Sequence, residues 1–315
     1  MSQALTLVFC GTPRFAVPTL RKLAETAFRI PLVVTQPDKP RGRGLELAAS
    51  PVKQAAEELG LRTIQPDRIK TNDVFRTELS ALKPDAIIVV GYGKIIPPWM
   101  IELPRFGNIN LHASLLPKYR GAAPIQWAIA SGESVTGVTT MQIDAGLDTG
   151  DILMQKEVAI EQEDTAETLS PKLAEAGADL MVETLRGLRA GTVHPVPQDH
   201  SKATLAPVLK KEDGLMGFQR TALEIWNRLR GFQPWPGAYT FFRGKHLEVH
   251  SARLAERASN TNPGELSVIG QDLFVTCGAG STLQLLELQI EGKRRMSARD
   301  FVNGYRPNSG ERLGS

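Results

Sequence analysis

Asn110 and His112 stand two residues apart in the stretch FGNINLHASLLPKYRG, at the end of an apolar run. A period of two places both side chains on one face of a strand. At a strand's carboxyl end they would face the edge where open α/β sheets bind ligands. An amide donor beside an imidazole suits a reaction in which an oxyanion forms while a proton moves. An isolated Asn or His in a loop is usually structural, so a second segment matters. VTTMQIDAGLDTGDIL (138–153) brings Asp144, Asp148 and Asp151 on a glycine-rich turn. A carboxylate there could orient His112 and favour its cationic form.

The residues that other chemistries require are poorly placed. Ser114 lies in SLLP, not in a G-x-S-x-G elbow. Cys10 and Cys277 have apolar neighbours and no nearby histidine, and the five histidines lack zinc spacing. Direct transfer without a covalent enzyme intermediate, and without a metal, fits this inventory best.

The elements that must position these residues can be read from the pattern. LTLVFCG (5–11), IPLVVTQ (30–36), LRTIQP (61–66), DAIIVVGYG (85–93) and FGNINLHA (106–113) read as strands. Helices at 18–26 and 50–60 separate them, the second opening with Ser50 as N-cap and Pro51 at its first position. Strands this apolar imply a mostly parallel, Rossmann-like sheet with helices on both faces. Two further strand-like runs and a long amphipathic helix from about 166 to 189 complete a domain over 1–189. Residues 190–206, polar and proline-bearing, read as a linker. A helix over about 218–232 and alternating, glycine-punctuated runs describe a small antiparallel barrel or sandwich over 207–315, and a β-barrel (OB-like) domain is expected there.

Several function classes drop out. The turn after the first strand, GTPRFA, lacks the second and third glycines of a dinucleotide fingerprint, and no P-loop sequence exists. No stretch approaches the ~18 apolar residues of a membrane span, and the N-terminus lacks a basic region before its apolar run. A soluble, cytoplasmic chain is expected. Residues 207–315 hold 15 Lys and Arg against 11 Asp and Glu, whereas 1–206 hold 22 against 23. The excess positive charge hints at a polyanionic partner for the C-terminal part, or only at a soluble surface.

The motif N-x-H-x-S-L-L-P, followed by L-D-T-G some thirty residues on, resembles the folate-dependent formyltransferase family. FCGTPRFAVPTL, TQPDKPRGRG, SPVK, YRGAAPIQW, GLDTGDIL and FQPWPGAYT, six collinear motifs, are similar to the branch of that family that formylates charged initiator tRNA. The resemblance covers nearly the whole chain, and it implies 10-formyltetrahydrofolate as donor. The implied acceptor is the α-amino group of methionine on methionyl initiator tRNA, and a monomer is expected.

By that resemblance, Asn110, His112 and Asp148 are catalytic. Ser114, Leu115, Leu116 and Pro117 match the reduced-folate segment, and Tyr92, Gly93, Lys94, Ile95 and Ile96 the pterin wall. Lys39, Arg41 and Arg43 belong to a basic loop that would reach the acceptor stem. Lys210, Lys211, Lys293, Arg294 and Arg295 would grip tRNA backbone, and FQPWPGAYT would pack the domain. Gly217-Phe218 and the polar tail RPNSGERLGS depart from the family pattern. The alternatives are a formyltransferase acting on an amino-sugar nucleotide and a 10-formyltetrahydrofolate hydrolase.

Overall fold

The computed structural model describes residues 4–41 and 46–314. The chain divides into two compact units. Met1–Pro124, Val135–Ala159 and Ser170–Ala206 form the first; Ile125–Ser134, Ile160–Leu169 and Pro207–Ser315 form the second.

In the first unit the strands are β1 (Thr6–Gly11), β2 (Arg29–Val34), β3 (Lys39–Arg41), β4 (Glu46–Ala48), β5 (Thr63–Ile64), β6 (Ala86–Val90), β7 (Asn108–His112), β8 (Val135–Gln142) and β9 (Ile152–Ala159). The helices are α1 (Val17–Ala24), α2 (Pro51–Glu58), α3 (Asp73–Ala81), α4 (Pro98–Ile101), a short α5 (Pro124–Ala130) at the unit boundary, and α6 (Ala166–Ala190). Seven strands form one sheet in the order β5-β2-β1-β6-β7-β8-β9. Pairing is parallel from β5 to β7 and antiparallel from β7 to β9.

β6, AIIVV, is buried at every position, as its unbroken apolar run requires of a central parallel strand. Val8, Cys10, Ile87 and Val89 face Phe75 and Leu79 of α3 on one side of the sheet. On the other side Leu111 packs so closely on α6 that a Cβ at Gly177 would overlap its side chain. Helices therefore cover both faces. The expected cap at Ser50 is present, its hydroxyl accepting the Lys53 N–H at 3.1 Å, an interaction worth about 1 kcal/mol.

The segment read as a linker is instead tied into the first unit. Val196 bridges Ile152, Leu205 bridges Arg120, and Ala206 N donates to Arg120 O at 2.7 Å. Composition marked it as a connector because its residues are polar; its order comes from hydrogen bonds to distant strands and loops. Conversely, short segments 125–134 and 160–169 belong with the C-terminal unit.

That unit contains α7 (Ala222–Gly231), β10 (Tyr239–Phe242), β11 (Lys245–Ala255), β12 (Leu266–Ile269), β13 (Asp272–Thr276), β14 (Thr282–Ile290), β15 (Met296–Ser297) and α8 (Ala298–Tyr305). α7 begins at Ala222, later than expected, because Thr221 and Glu224 form a reciprocal capping box. The sheet is antiparallel, ordered β10-β11-β14-β13-β12, with β15 on β14. The polar tail ties both edge strands: Leu266 N donates to Glu311 O, and Gly314 N to Phe241 O. Leu247, Leu273, Val275, Leu283, Leu285 and Phe301 form its core.

Candidate active site

β7 presents the candidate residues on one face because its side chains alternate. Leu111 points to α6, so Asn108, Asn110 and His112 share the opposite face. Asn108 is structural: its amide donates to Met100 O at 2.7 Å and Ile101 O at 3.1 Å. Asn110 is half-buried, and its amide has no partner among the described residues. His112 is buried, with Nε2 2.9 Å from Tyr119 O and Nδ1 3.6 Å from Asp148 Oδ2. A carbonyl only accepts, so Nε2 carries a hydrogen. Nδ1 faces a carboxylate across a gap longer than a hydrogen bond, and it is the ring atom that main chain does not engage.

Asp148 reaches His112 from a turn that glycine makes possible. A Cβ at Gly150 would overlap Gln142 O, so only glycine allows this approach to the sheet. Asp148 itself has φ +51°, in the left-handed region that Asp tolerates better than most residues. Its Oδ2 accepts the Gly121 N–H at 2.8 Å. Gly121 has φ +122°, and a Cβ there would lie 2.6 Å from Ala206 O. Of the other two aspartates, Asp144 accepts the Thr149 hydroxyl and the Gly146 N–H, which fixes the turn rather than the imidazole.

The neighbouring segment 114–117 is strapped to β8 and β9. Ser114 O accepts the Thr139 hydroxyl at 2.7 Å, Leu116 N donates to Thr139 Oγ1, and Gln155 Nε2 donates to Leu116 O. Leu115 and Pro117 are half-buried beside the buried Leu116. The Ser114 hydroxyl donates to Lys118 O at 2.6 Å, so it is engaged with main chain and not with a base.

Tyr92 to Ile96 follow the carboxyl end of β6, beside β7. Tyr92 is buried, and its hydroxyl has no partner among the described residues. Gly93 has φ +75°. Lys94 Nζ donates to Pro66 O and Asp67 O, and desolvation lowers its pKa from the ordinary lysine value. Ile96 is buried, whereas Ile95 is 92% exposed, an unusual position for a large apolar side chain.

Lys39 is exposed on β3; Arg43 and the Arg41 side chain lie outside the described residues. In the second unit Lys210, Lys211, Lys293, Arg294 and Arg295 are all exposed. Lys211 and Arg295, far apart in sequence, line one cavity of about 490 Å³ with Trp235, Tyr239, His246 and His250. Arg295 also pairs with Glu287. FQPWPGAYT was expected to pack: Phe232 does, edge-to-face on Trp127, but Trp235 is 56% exposed. Burial of the one aromatic on α7's end leaves the other outside, a split that spacing does not encode.

Two residues escaped the sequence reading. Arg120 and Gln198 are both buried and bonded to each other, Arg120 Nε and Nη2 donating to Gln198 Oε1 at 3.1 and 2.6 Å. Arg120 lies in the motif YRGAAPIQW, but no role attached to it. Gln198 lies in the segment read as a linker, and nothing in its local sequence signals it.

The sheet thus brings an amide and an imidazole on β7 and a carboxylate from a neighbouring turn to its carboxyl edge, where open α/β sheets bind ligands. Residues 5–185 match Formyl transferase, and residues 208–306 match Formyl transferase, C-terminal domain. The chain belongs to the formyl transferase family. It is 63% identical to methionyl-tRNA formyltransferase of Koribacter versatilis, over 98% of this chain and 99% of that one. The identity to methionyl-tRNA formyltransferase of Acidobacterium capsulatum is 58%, over 99% and 100%. The fold is also that of an N-formyltransferase from Helicobacter canadensis, solved in complex with folinic acid and dTDP-3-aminofucose, with TM-score 0.68 at 19% identity. That match covers 89% of this chain and 98% of the other. Among the described residues no helix is long and apolar enough to cross a membrane.

Proposed function

We propose that this chain transfers the formyl group of 10-formyltetrahydrofolate to the α-amino group of methionyl initiator tRNA. The observation that carries this reading is identity of 63% through both units to a methionyl-tRNA formyltransferase. Resemblance of the catalytic sheet alone would suit any acceptor in the family. An amino-sugar nucleotide acceptor is disfavoured by the degree of relatedness, 63% identity to a methionyl-tRNA formyltransferase against 19% to the N-formyltransferase solved with dTDP-3-aminofucose.

The geometry suits direct transfer. The methionine amine, neutral, attacks the formyl carbon and gives a tetrahedral intermediate with a negative oxygen. Asn110, its amide uncommitted, donates to that oxygen, and His112 donates from Nδ1. Loss of one such donor costs roughly 3 kcal/mol. Asp148, held by Gly121, compensates the charge on the imidazolium and takes up the amine's proton through water. The bond from the formyl carbon to N10 then breaks, N10 gains a proton, and tetrahydrofolate leaves. Both thiols are poor nucleophiles: burial pushes Cys277 up to about 12 and Cys10 higher still.

Segment 92–96, with exposed Ile95, and segment 114–117 are suited to flank the folate rings on the same sheet edge. Lys39, Arg41 and Arg43 would meet the acceptor stem. Lys210, Lys211, Lys293, Arg294 and Arg295 would contact backbone phosphates.

The test supplies purified protein with 10-formyltetrahydrofolate and charged initiator tRNA, and follows formylmethionine after mild base hydrolysis. Formylation of that tRNA and not of charged elongator is expected. Folate turnover without acceptor formylation would replace this reading with hydrolysis. Transfer only to a dTDP-amino sugar would replace it with the sugar-nucleotide reading.

A further inference from the structure

We propose that Gln198 is a positioning residue that holds Asp148 in its working conformation, with Arg120 as its anchor; this rests on the role given to Asp148 above. The Gln198 amide donates to Asp148 O at 2.9 Å and to Gly150 O at 2.7 Å. Its oxygen accepts two N–H groups of Arg120. Both donors and both lone pairs are used, so the orientation of the amide is fixed by its partners.

The contacts close a ring. Gly121 holds the Asp148 carboxylate, Gln198 holds the Asp148 carbonyl, and Arg120, next to Gly121, holds Gln198. The left-handed conformation of Asp148 costs free energy even though Asp tolerates it, and this ring supplies a constraint that holds it. Arg120 is unusual in its own right. It is a buried guanidinium whose hydrogen-bond partners are a neutral amide and His200 Nδ1, at 3.0 Å.

The residue type argues for positioning over stability. Glutamate at 198 would pair better with the buried guanidinium, yet it has no N–H to offer the two carbonyls. Glutamine gives up the stronger ion pair and fixes the turn that carries Asp148. Lysine could not replace Arg120, because one ammonium cannot present the two-pronged donor set seen here.

Gln198→Glu in the full chain separates the roles. The variant is expected to fold because the Arg120 contact survives, and to melt below the wild type because two carbonyls lose their donor. Its kcat falls roughly 10- to 100-fold, with KM for both substrates nearly unchanged, since a displaced catalytic group lowers transition-state stabilisation most. In an Asp148→Asn background, Gln198→Ala should cause no further loss of kcat. The imidazole ¹⁵N resonances of His112, read without turnover, should shift in Gln198→Glu. A folded Gln198→Glu with wild-type kcat and unshifted resonances would overturn the proposal, as would additive losses in the double variant. If Gln198→Glu does not fold, Gln198→Asn, too short to reach both carbonyls, must show the same loss. A wild type inactive in formyl transfer would instead refute the proposed function, and the resonance comparison would still decide the role of Gln198.

Discussion

His112 Nδ1 lies 3.6 Å from Asp148 Oδ2, and that oxygen is already held by the Gly121 N–H at 2.8 Å. Main chain therefore fixes the carboxylate before the imidazole meets it. The pair is fixed in direction but left slightly apart, which suits a site where substrate atoms enter between the groups.

Asp148→Asn tests the charge with the shape retained. We expect kcat to fall by roughly 10²–10⁴, the usual range for a proton-transfer partner, with the tRNA KM little changed. Asn110→Ala should cost about 10²–10³ in kcat, the value of one oxyanion donor. Steady-state kinetics on both folded variants checks these values; a KM-only change in either would remove that residue from the catalytic set.

Gly121→Ala strains the support of Asp148. The φ of +122° and the approach to Ala206 O both oppose a side chain. A loss of about 1–3 kcal/mol in urea unfolding is expected, together with lower kcat. An unchanged unfolding midpoint would show that the turn relaxes freely.

Neither thiol should be reactive in the native state. Both are buried and raised above the ordinary cysteine range by desolvation. Iodoacetamide at pH 8 should label the protein only after unfolding, leaving activity intact. Rapid labelling or inactivation of native protein would contradict that burial.

Asp199 caps the short turn that presents His200 to Arg120. The Ser201 hydroxyl and the Lys202 ammonium hold its carboxyl at about 2, below the usual carboxylate range near 4. Because the folded value is the lower one, the stabilisation is complete above about pH 4 and disappears as pH falls towards 2. Thermal melts should therefore show a steeper acid loss for the wild type than for Asp199→Asn. Parallel curves would mean the cap contributes nothing.

The C-terminal basic turn should act through phosphate. Lys293→Glu with Arg294→Glu should raise the KM for charged tRNA and flatten its dependence on salt, while folate KM stays constant. An unchanged salt dependence would remove this turn from the tRNA surface.

Much of the site was legible in sequence for local reasons. Alternation alone placed Asn110 and His112 on one face of β7, and Ser50-Pro51 marked the start of α2. Three aspartates were candidates on spacing, with the family resemblance favouring Asp148. Only the folded turn separated them, engaging Asp144 with Thr149 and bringing Asp148 to His112.

The sequence by itself determined the apolar strands, their alternation, the cap at Ser50 and the Asn-x-His pair, because each depends on neighbours a few residues away. The tertiary structure decided that 190–206 is part of the first unit, that Trp235 is exposed while Phe232 is buried, and that Gln198 reaches Asp148 across 50 residues and Arg120 across 78. Those relations arise when chain closure leaves buried donors and acceptors that must find each other, and no local pattern records which distant partner will satisfy them.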